Sequence, residues 1–142
     1  MKKMAKDYKI DVLLINGDLV GHEIAVKPAL NLTDEQTEQH YKILKDILQT
    51  VSNEFVVDNF PDAVVLPTLG NNDVKFHYQF PTTKELANDY YGHVFKNFVE
   101  LPKANKKLNL DDMRKTFMKG GYFRTDYKGI TFLNLNSLMW AV

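Results

Sequence analysis

No cysteine occurs in the 142-residue chain. That excludes a disulfide framework and any thiolate chemistry. No run of about 18 apolar residues is present, so there is no transmembrane segment of the helical kind. Net charge is missing too: 18 basic residues balance 18 acidic ones. There is accordingly no nucleic-acid-binding signal and no general electrostatic case for an anionic membrane surface. The start, Met1-Lys2-Lys3-Met4-Ala5-Lys6, has charge but no apolar core and does not read as a signal peptide. Neither G-x-G-x-x-G nor G-x-x-x-x-G-K-[ST] appears, which weighs against an ordinary nucleotide-binding domain. Lys103, Lys106 and Lys107 make one locally basic stretch, which reads as a solvated loop. Internal repeats, low-complexity tracts and linkers are absent, and residues 1–142 read as a single domain with enough chain for a sizeable core.

Two short segments stand out against this background. They are Asn16-Gly17-Asp18-Leu19-Val20-Gly21-His22 and Leu69-Gly70-Asn71-Asn72-Asp73. Each follows an apolar run, Val12-Leu13-Leu14-Ile15 in one case and Ala63-Val64-Val65-Leu66 in the other. Both runs read as buried strands that deliver polar residues at their C-terminal ends, where open α/β sheets place ligands and chemistry. Asp18 and Asn71 carry hard oxygen donors of the kind a divalent cation takes, and the glycines allow sharp turns beside them. Read locally, Asp18 is equally an Asp accepting backbone N–H bonds in a tight turn, and Asn71 an Asn in a left-handed turn position.

The remaining pattern is regular. Residues 1–8 read as the last turns of a helix and residues 9–15 as the first strand. The connection over residues 17–32 is long, a length usually functional or disordered. Thr33-Asp34-Glu35-Gln36 is a capping box opening a helix with Tyr41, Leu44, Ile47, Leu48, Val51 and Phe55 on one stripe. Thr83 caps a second helix carrying Leu86, Tyr90, Val94 and Phe98. Residues 101–109 read as a loop. Asn109 or Asp111 starts a third helix with Met113, Phe117 and Met118 facing in, ended by Gly120 and Gly121. Residues 122–125 and 130–136 then predict a hairpin across Asp126-Tyr127-Lys128-Gly129. Strand, helix, strand, helix, helix, hairpin predicts an α/β fold with a mixed β-sheet flanked by helices.

At these residues the chain resembles the calcineurin-like metallophosphoesterases, and most of all their acid-sphingomyelinase-like branch, which includes the endopolyphosphatases. The family pattern is a GD motif, here Gly17-Asp18, then GN[HN][DE], here Gly70-Asn71-Asn72-Asp73. The branch adds a His four residues past the GD Asp, matched by His22, and an aromatic-Pro pair, matched by Phe80-Pro81. Gly120-Gly121-Tyr122-Phe123 and Phe132-Leu133-Asn134-Leu135-Asn136 match its later strands. The matches keep the family's order over residues 10–138.

The resemblance implies a two-sheet sandwich flanked by helices, of which this chain supplies the central part. It also implies metal-dependent hydrolysis of a phosphodiester or phosphoanhydride at a dinuclear centre, with two divalent metal ions, zinc first and manganese or iron as the other candidates. Asp18 matches the metal-bridging Asp and Asn71 the amide ligand of the second metal. His22 matches the His that protonates the leaving oxygen; read locally, it is equally an exposed loop His. Asn72 stands where the commoner family residue is a His that contacts the phosphoryl group. An amide donates a hydrogen bond there but carries no charge and moves no proton. Gly-Asn-Asn-Asp is at the same time the pattern of the endopolyphosphatase members, a lean towards polyphosphate. His77, in the same loop, is a candidate for contact with the substrate phosphate.

Two departures qualify the resemblance. The family's earlier Asp-x-His motif and its later His and Gly-His-x-His motifs are not in this sequence. The expectation is therefore a central portion of a longer enzyme whose flanking segments complete the metal site, with a catalytically inactive fragment or pseudoenzyme as the alternative. The absence of cysteine also departs from the disulfide-bonded secreted and lysosomal animal members. The chain itself fixes no compartment; the resemblance implies a secreted, lysosomal or vacuolar full-length protein.

Overall fold

A computed structural model describes residues 8–24, 26 and 31–140, the side chain of Trp140 excepted. The helical turns expected before Tyr8, and Pro28, lie outside the described residues. The structure is mixed α/β. Strand β1 is Val12–Ile15, helix α1 Asp34–Thr50, strand β2 Val64–Pro67, helix α2 Lys84–Phe95 and helix α3 Leu110–Gly120. Strands β3, Phe123–Tyr127, and β4, Ile130–Asn134, follow. Among the described residues no helix is long and apolar enough to cross a membrane.

Each helix starts where its cap residue stands. Thr33 Oγ1 accepts from Gln36 N–H, and Gln36 Oε1 accepts from Thr33 N–H at 2.9 Å, the reciprocal capping box. Thr83 accepts from Leu86 N–H, and Asn109 from Asp112 N–H. Helix α3 ends at Gly121, whose left-handed φ of 68° closes the last turn.

Past Thr50 the first helix widens into a π-helical stretch, Val51–Val57. More residues per turn shift the angular phase of the stripe. Ser52 and Val56 take the inward positions, and Phe55, expected on the stripe, is 46% exposed. Helix α2 widens likewise through Lys96–Glu100. The expected loop over residues 101–109 contains a 3₁₀ turn, Lys103–Lys107, with Ala104 and Asn105 buried beneath the three exposed lysines.

Strands β1 and β2 pair in parallel, from Val12↔Val64 to Ile15↔Pro67. Every residue of β2 is buried, whereas β1 is only half covered and Leu14 is 54% exposed. β1 therefore begins later than expected and is not a fully buried strand. β3 and β4 pair antiparallel through a two-residue turn, Lys128-Gly129, with both φ values positive at 50° and 78°. This mirror-type turn matches the twist of the strands, so Asp126 and Tyr127 belong to β3 and not to the turn.

The expected single mixed sheet is not formed among the described residues; there are two separate two-stranded sheets. One side chain occupies the free edge of β2. Val65 N–H and C=O point away from β1, where a third strand would pair. Buried Asn105 takes both, its Oδ1 accepting from Val65 N–H at 2.7 Å and its Nδ2 donating to Val65 C=O at 2.9 Å. The same Nδ2 donates to Val99 C=O at 2.9 Å. A side-chain amide thus replaces a strand and ties β2 to the end of the second helix.

The core lies between β2 and the helices. Tyr41, Leu44 and Leu48 of α1 and Tyr90, Tyr91, Val94 and Phe95 of α2 are buried there. Phe117 of α3 joins the layers, its ring 5.9 Å from Tyr91, 5.4 Å from Phe95 and 6.0 Å from Phe123. Such offset and edge contacts favour aromatic pairs beyond their buried area.

Two predictions follow from this packing. Asn105→Ala leaves two buried backbone groups of β2 without partners and should lower stability by about 3 kcal/mol in urea unfolding; a loss under about 1 kcal/mol would contradict the strand-substitute role. His93 is held below its ordinary value of 6.5, first by burial and also by the Lys45 and Lys96 ammonium groups. Its neutral form is favoured in the folded state, so its contribution is present above pH 6.5 and is lost as pH falls through the depressed value. Wild type should lose stability relative to His93→Gln as pH is lowered from about 8 to about 5. Parallel pH profiles would refute it.

Candidate active site

Because β1 and β2 run in register, the segments after Ile15 and Pro67 leave the sheet side by side. Thr68 secures the exit: its N–H and its Oγ1 both donate to Ile15 C=O, at 2.7 and 2.9 Å. The two loops then meet glycine to glycine. A Cβ on Gly17 would stand 2.3 Å from Gly70 N, and one on Gly70 would stand 2.2 Å from both Asp18 N and Asp18 Oδ1. No side chain fits at either position.

The close approach puts carboxylates and amides of opposite loops in contact. Asp18 is exposed, with φ 53°, and its Oδ1 accepts from Asn72 N–H at 3.1 Å. Asp73 is 1% exposed. Its Oδ1 accepts from Leu19 N–H at 2.7 Å and Val20 N–H at 3.2 Å, and its Oδ2 from Gly70 N–H at 3.1 Å. Burial pushes the Asp73 carboxyl up from the usual carboxylate value, against the pull of these N–H donors. Asp73 therefore fixes its own turn, as the sequence implies, and the Asp18 turn as well.

The expected site residues are brought together on one rim. Asn72 is buried, and its Oδ1 lies 2.9 Å from His77 Nε2 and 3.2 Å from Asn71 Nδ2. Both contacts are satisfied when His77 carries its proton on Nε2 and both groups donate to Asn72. In that tautomer the 3.1 Å approach of Asn71 Nδ2 to His77 Nε2 is a contact and not a bond. Asn71 spends its N–H on Asn72, which leaves its Oδ1, the atom a cation takes, on the other arm of the amide. His22 is exposed, its ring edge-on to His77 with centroids 5.6 Å apart.

Farther along, Val26 N–H donates to Lys75 C=O and His77 N–H to Val26 C=O, both at 3.0 Å, a parallel bridge that stitches the loops together. His40 Nδ1 lies 3.2 Å from Ile24 C=O and ties this loop to α1. Asn134 and Asn136 act as structural clamps. Asn134 Nδ2 donates to Pro67 C=O at 3.4 Å, and Asn136 Nδ2 to Gly120 C=O at 2.9 Å.

Asp18 and Asn71 supply oxygen donors of the right hardness for a divalent cation. No group of three or more His, Cys, Asp or Glu side chains that could hold a metal ion occurs among the described residues. Two donors suit part of a dinuclear site, and further ligands are needed to complete one. Sequence reasoning missed the mutual fit of Gly17 and Gly70, since only the parallel register brings them face to face. No protein-family model matches the chain, and neither does any curated protein or any solved structure.

Gly70→Ala should cost about 1–3 kcal/mol by overpacking and should shift the amide resonances of Leu19 and Val20, read by thermal unfolding and NMR. Gly21→Ala is the matched control: nothing lies within 4 Å of a Cβ there, so its change should stay within about 0.5 kcal/mol. Equal effects at the two positions would refute the glycine contact.

Proposed function

We propose that the chain is the central part of a metal-dependent phosphoric ester hydrolase, a metallophosphoesterase whose dinuclear centre is completed by flanking segments of the same protein. One observation carries the reading. The Asp18 carboxylate is hydrogen-bonded to the turn that holds Asn71 and Asn72, at the C-terminal ends of two adjacent parallel strands. This is where α/β sheets gather ligands, and the residues gathered are those the sequence motifs single out. The exposed Leu14, Leu133 and Leu135 fit coverage by a further layer of such a sandwich.

In this reading Asp18 and Asn71 would hold divalent metals, zinc first among them, which would supply Lewis-acid activation of water and neutralise charge on the phosphoryl oxygens. His22, exposed on the same rim, gives its proton to the departing oxygen. Asn72 is buried with its oxygen occupied, so it acts by holding His77 and Asn71 in place. His77, with its Nε2–H given to Asn72, stands beside His22 on the rim where the phosphate would lie. The substrate is a phosphate ester or polyphosphate. The second reading, a catalytically inactive piece or pseudoenzyme, draws on the same buried Asn72 and on the incomplete donor set.

Hydrolysis of bis-p-nitrophenyl phosphate, with metal content, should be compared for this chain and for a longer reading frame that adds the flanking segments. The longer protein should hold about two metals and hydrolyse the ester. Asp18→Asn should abolish metal retention, and His22→Ala should lower turnover on the order of 100-fold. Full metal loading without hydrolysis would favour the pseudoenzyme.

A further inference from the structure

Tyr78 is the feature of this rim that packing does not explain. Its backbone is left-handed, with φ 63°. That region strains any residue with a Cβ and is rare for a bulky ring. Glycine or asparagine would hold the same turn more cheaply. Burial does not compensate, because the residue is 57% exposed. The conformation is nevertheless imposed from both sides. His77 N–H donates to Val26 C=O at 3.0 Å, Tyr78 N–H to Asn71 C=O at 3.4 Å and Gln79 N–H to Phe76 C=O at 2.9 Å. Four non-glycine residues have positive φ among the described residues, and two of them, Asp18 and Tyr78, belong to this one site. Strain held in place by surrounding bonds and concentrated at a site is a mark of function.

The ring has a definite setting. Its centroid is 4.3 Å from that of His77, tilted by 59°. His77 is in turn 5.6 Å, edge-on, from His22. His22, His77 and Tyr78 thus form a row of three rings, of which the middle one, His77, stands on Asn72. An exposed tyrosine at the end of such a row offers a planar face for stacking, and towards a bare phosphate chain only one uncharged O–H donor.

We infer that Tyr78 is a specificity-determining residue that stacks on a planar leaving group, and that the site takes phosphoesters carrying a ring next to the phosphate, in preference to polyphosphate. The inference rests on the phosphoesterase reading and names its substrate class. Tyr78 positions the ester; His22 and the metal ligands keep their roles.

The test is binding to the longer protein that adds the flanking segments, measured by calorimetry with phenyl phosphate and with inorganic phosphate, with and without added zinc. Wild type should bind phenyl phosphate more tightly than inorganic phosphate by about three- to tenfold, the worth of one aromatic stacking contact. Tyr78→Gly should erase that preference, leave inorganic phosphate binding unchanged and hold or raise the melting temperature, because the strain is relieved. Tyr78→Phe should keep the preference. If phosphate binds but the preference is absent, or survives Tyr78→Gly, the inference fails and the phosphoesterase reading stands. Tighter binding of tripolyphosphate than of phenyl phosphate would overturn it in the same way. If neither ligand binds, the phosphoesterase reading fails and takes the inference with it.

Discussion

Gly17 and Gly70 stand so close that neither position has room for a methyl group. Adjacent strands lie about 4.8 Å apart, and loops that leave them normally diverge, because their side chains demand space. Two glycines remove the demand. Asp73 then reaches across from the second loop and takes the N–H groups of Leu19 and Val20. The desolvation of its buried carboxylate is only partly offset by three backbone donors. The two loops become one rigid unit. Asp18, Asn71 and Asn72 are held by this backbone contact and by hydrogen bonds among their own side chains and His77.

Amide side chains recur at several places where the described backbone lacks a partner. Asn105 closes the open edge of β2, Asn134 reaches the end of that strand, and Asn136 holds the end of α3. Asn134 and Asn136 each donate to one carbonyl there, and Asn105 matches both a donor and an acceptor of Val65, as a neighbouring peptide would. The outcome is visible on β4 and just beyond it. Asn134 and Asn136 are buried while Leu133 and Leu135 face out, an inversion of the usual pattern. Polar residues point inward because their targets are main-chain groups inside the core.

Local chemistry accounts for what was legible in the sequence. The capping box at Thr33, the cap at Thr83, the Gly121 stop and the apolar periodicity of the helices act over three or four residues. The elements they predicted are present. Misplaced features depend on partners distant in sequence. Phe55 leaves the core because the helix widens, and no local signal announces the change. Asn105 looked like part of a solvated lysine loop, since the contact that buries it is forty residues away at Val65. Tyr78 carries no sequence mark of its strain.

By itself, then, the sequence determined the elements, their order and the two polar segments that end β1 and β2, because capping, periodicity and glycine turns are short-range effects. Tertiary structure alone decided that Gly17 meets Gly70, that Asp73 and not Asp18 is the buried carboxylate, and that His22, His77 and Tyr78 form a row. It also decided that an asparagine takes the place of a third strand. These depend on the parallel register of β1 with β2 and on which groups that register leaves unpaired, and a register exists only once distant segments are packed together.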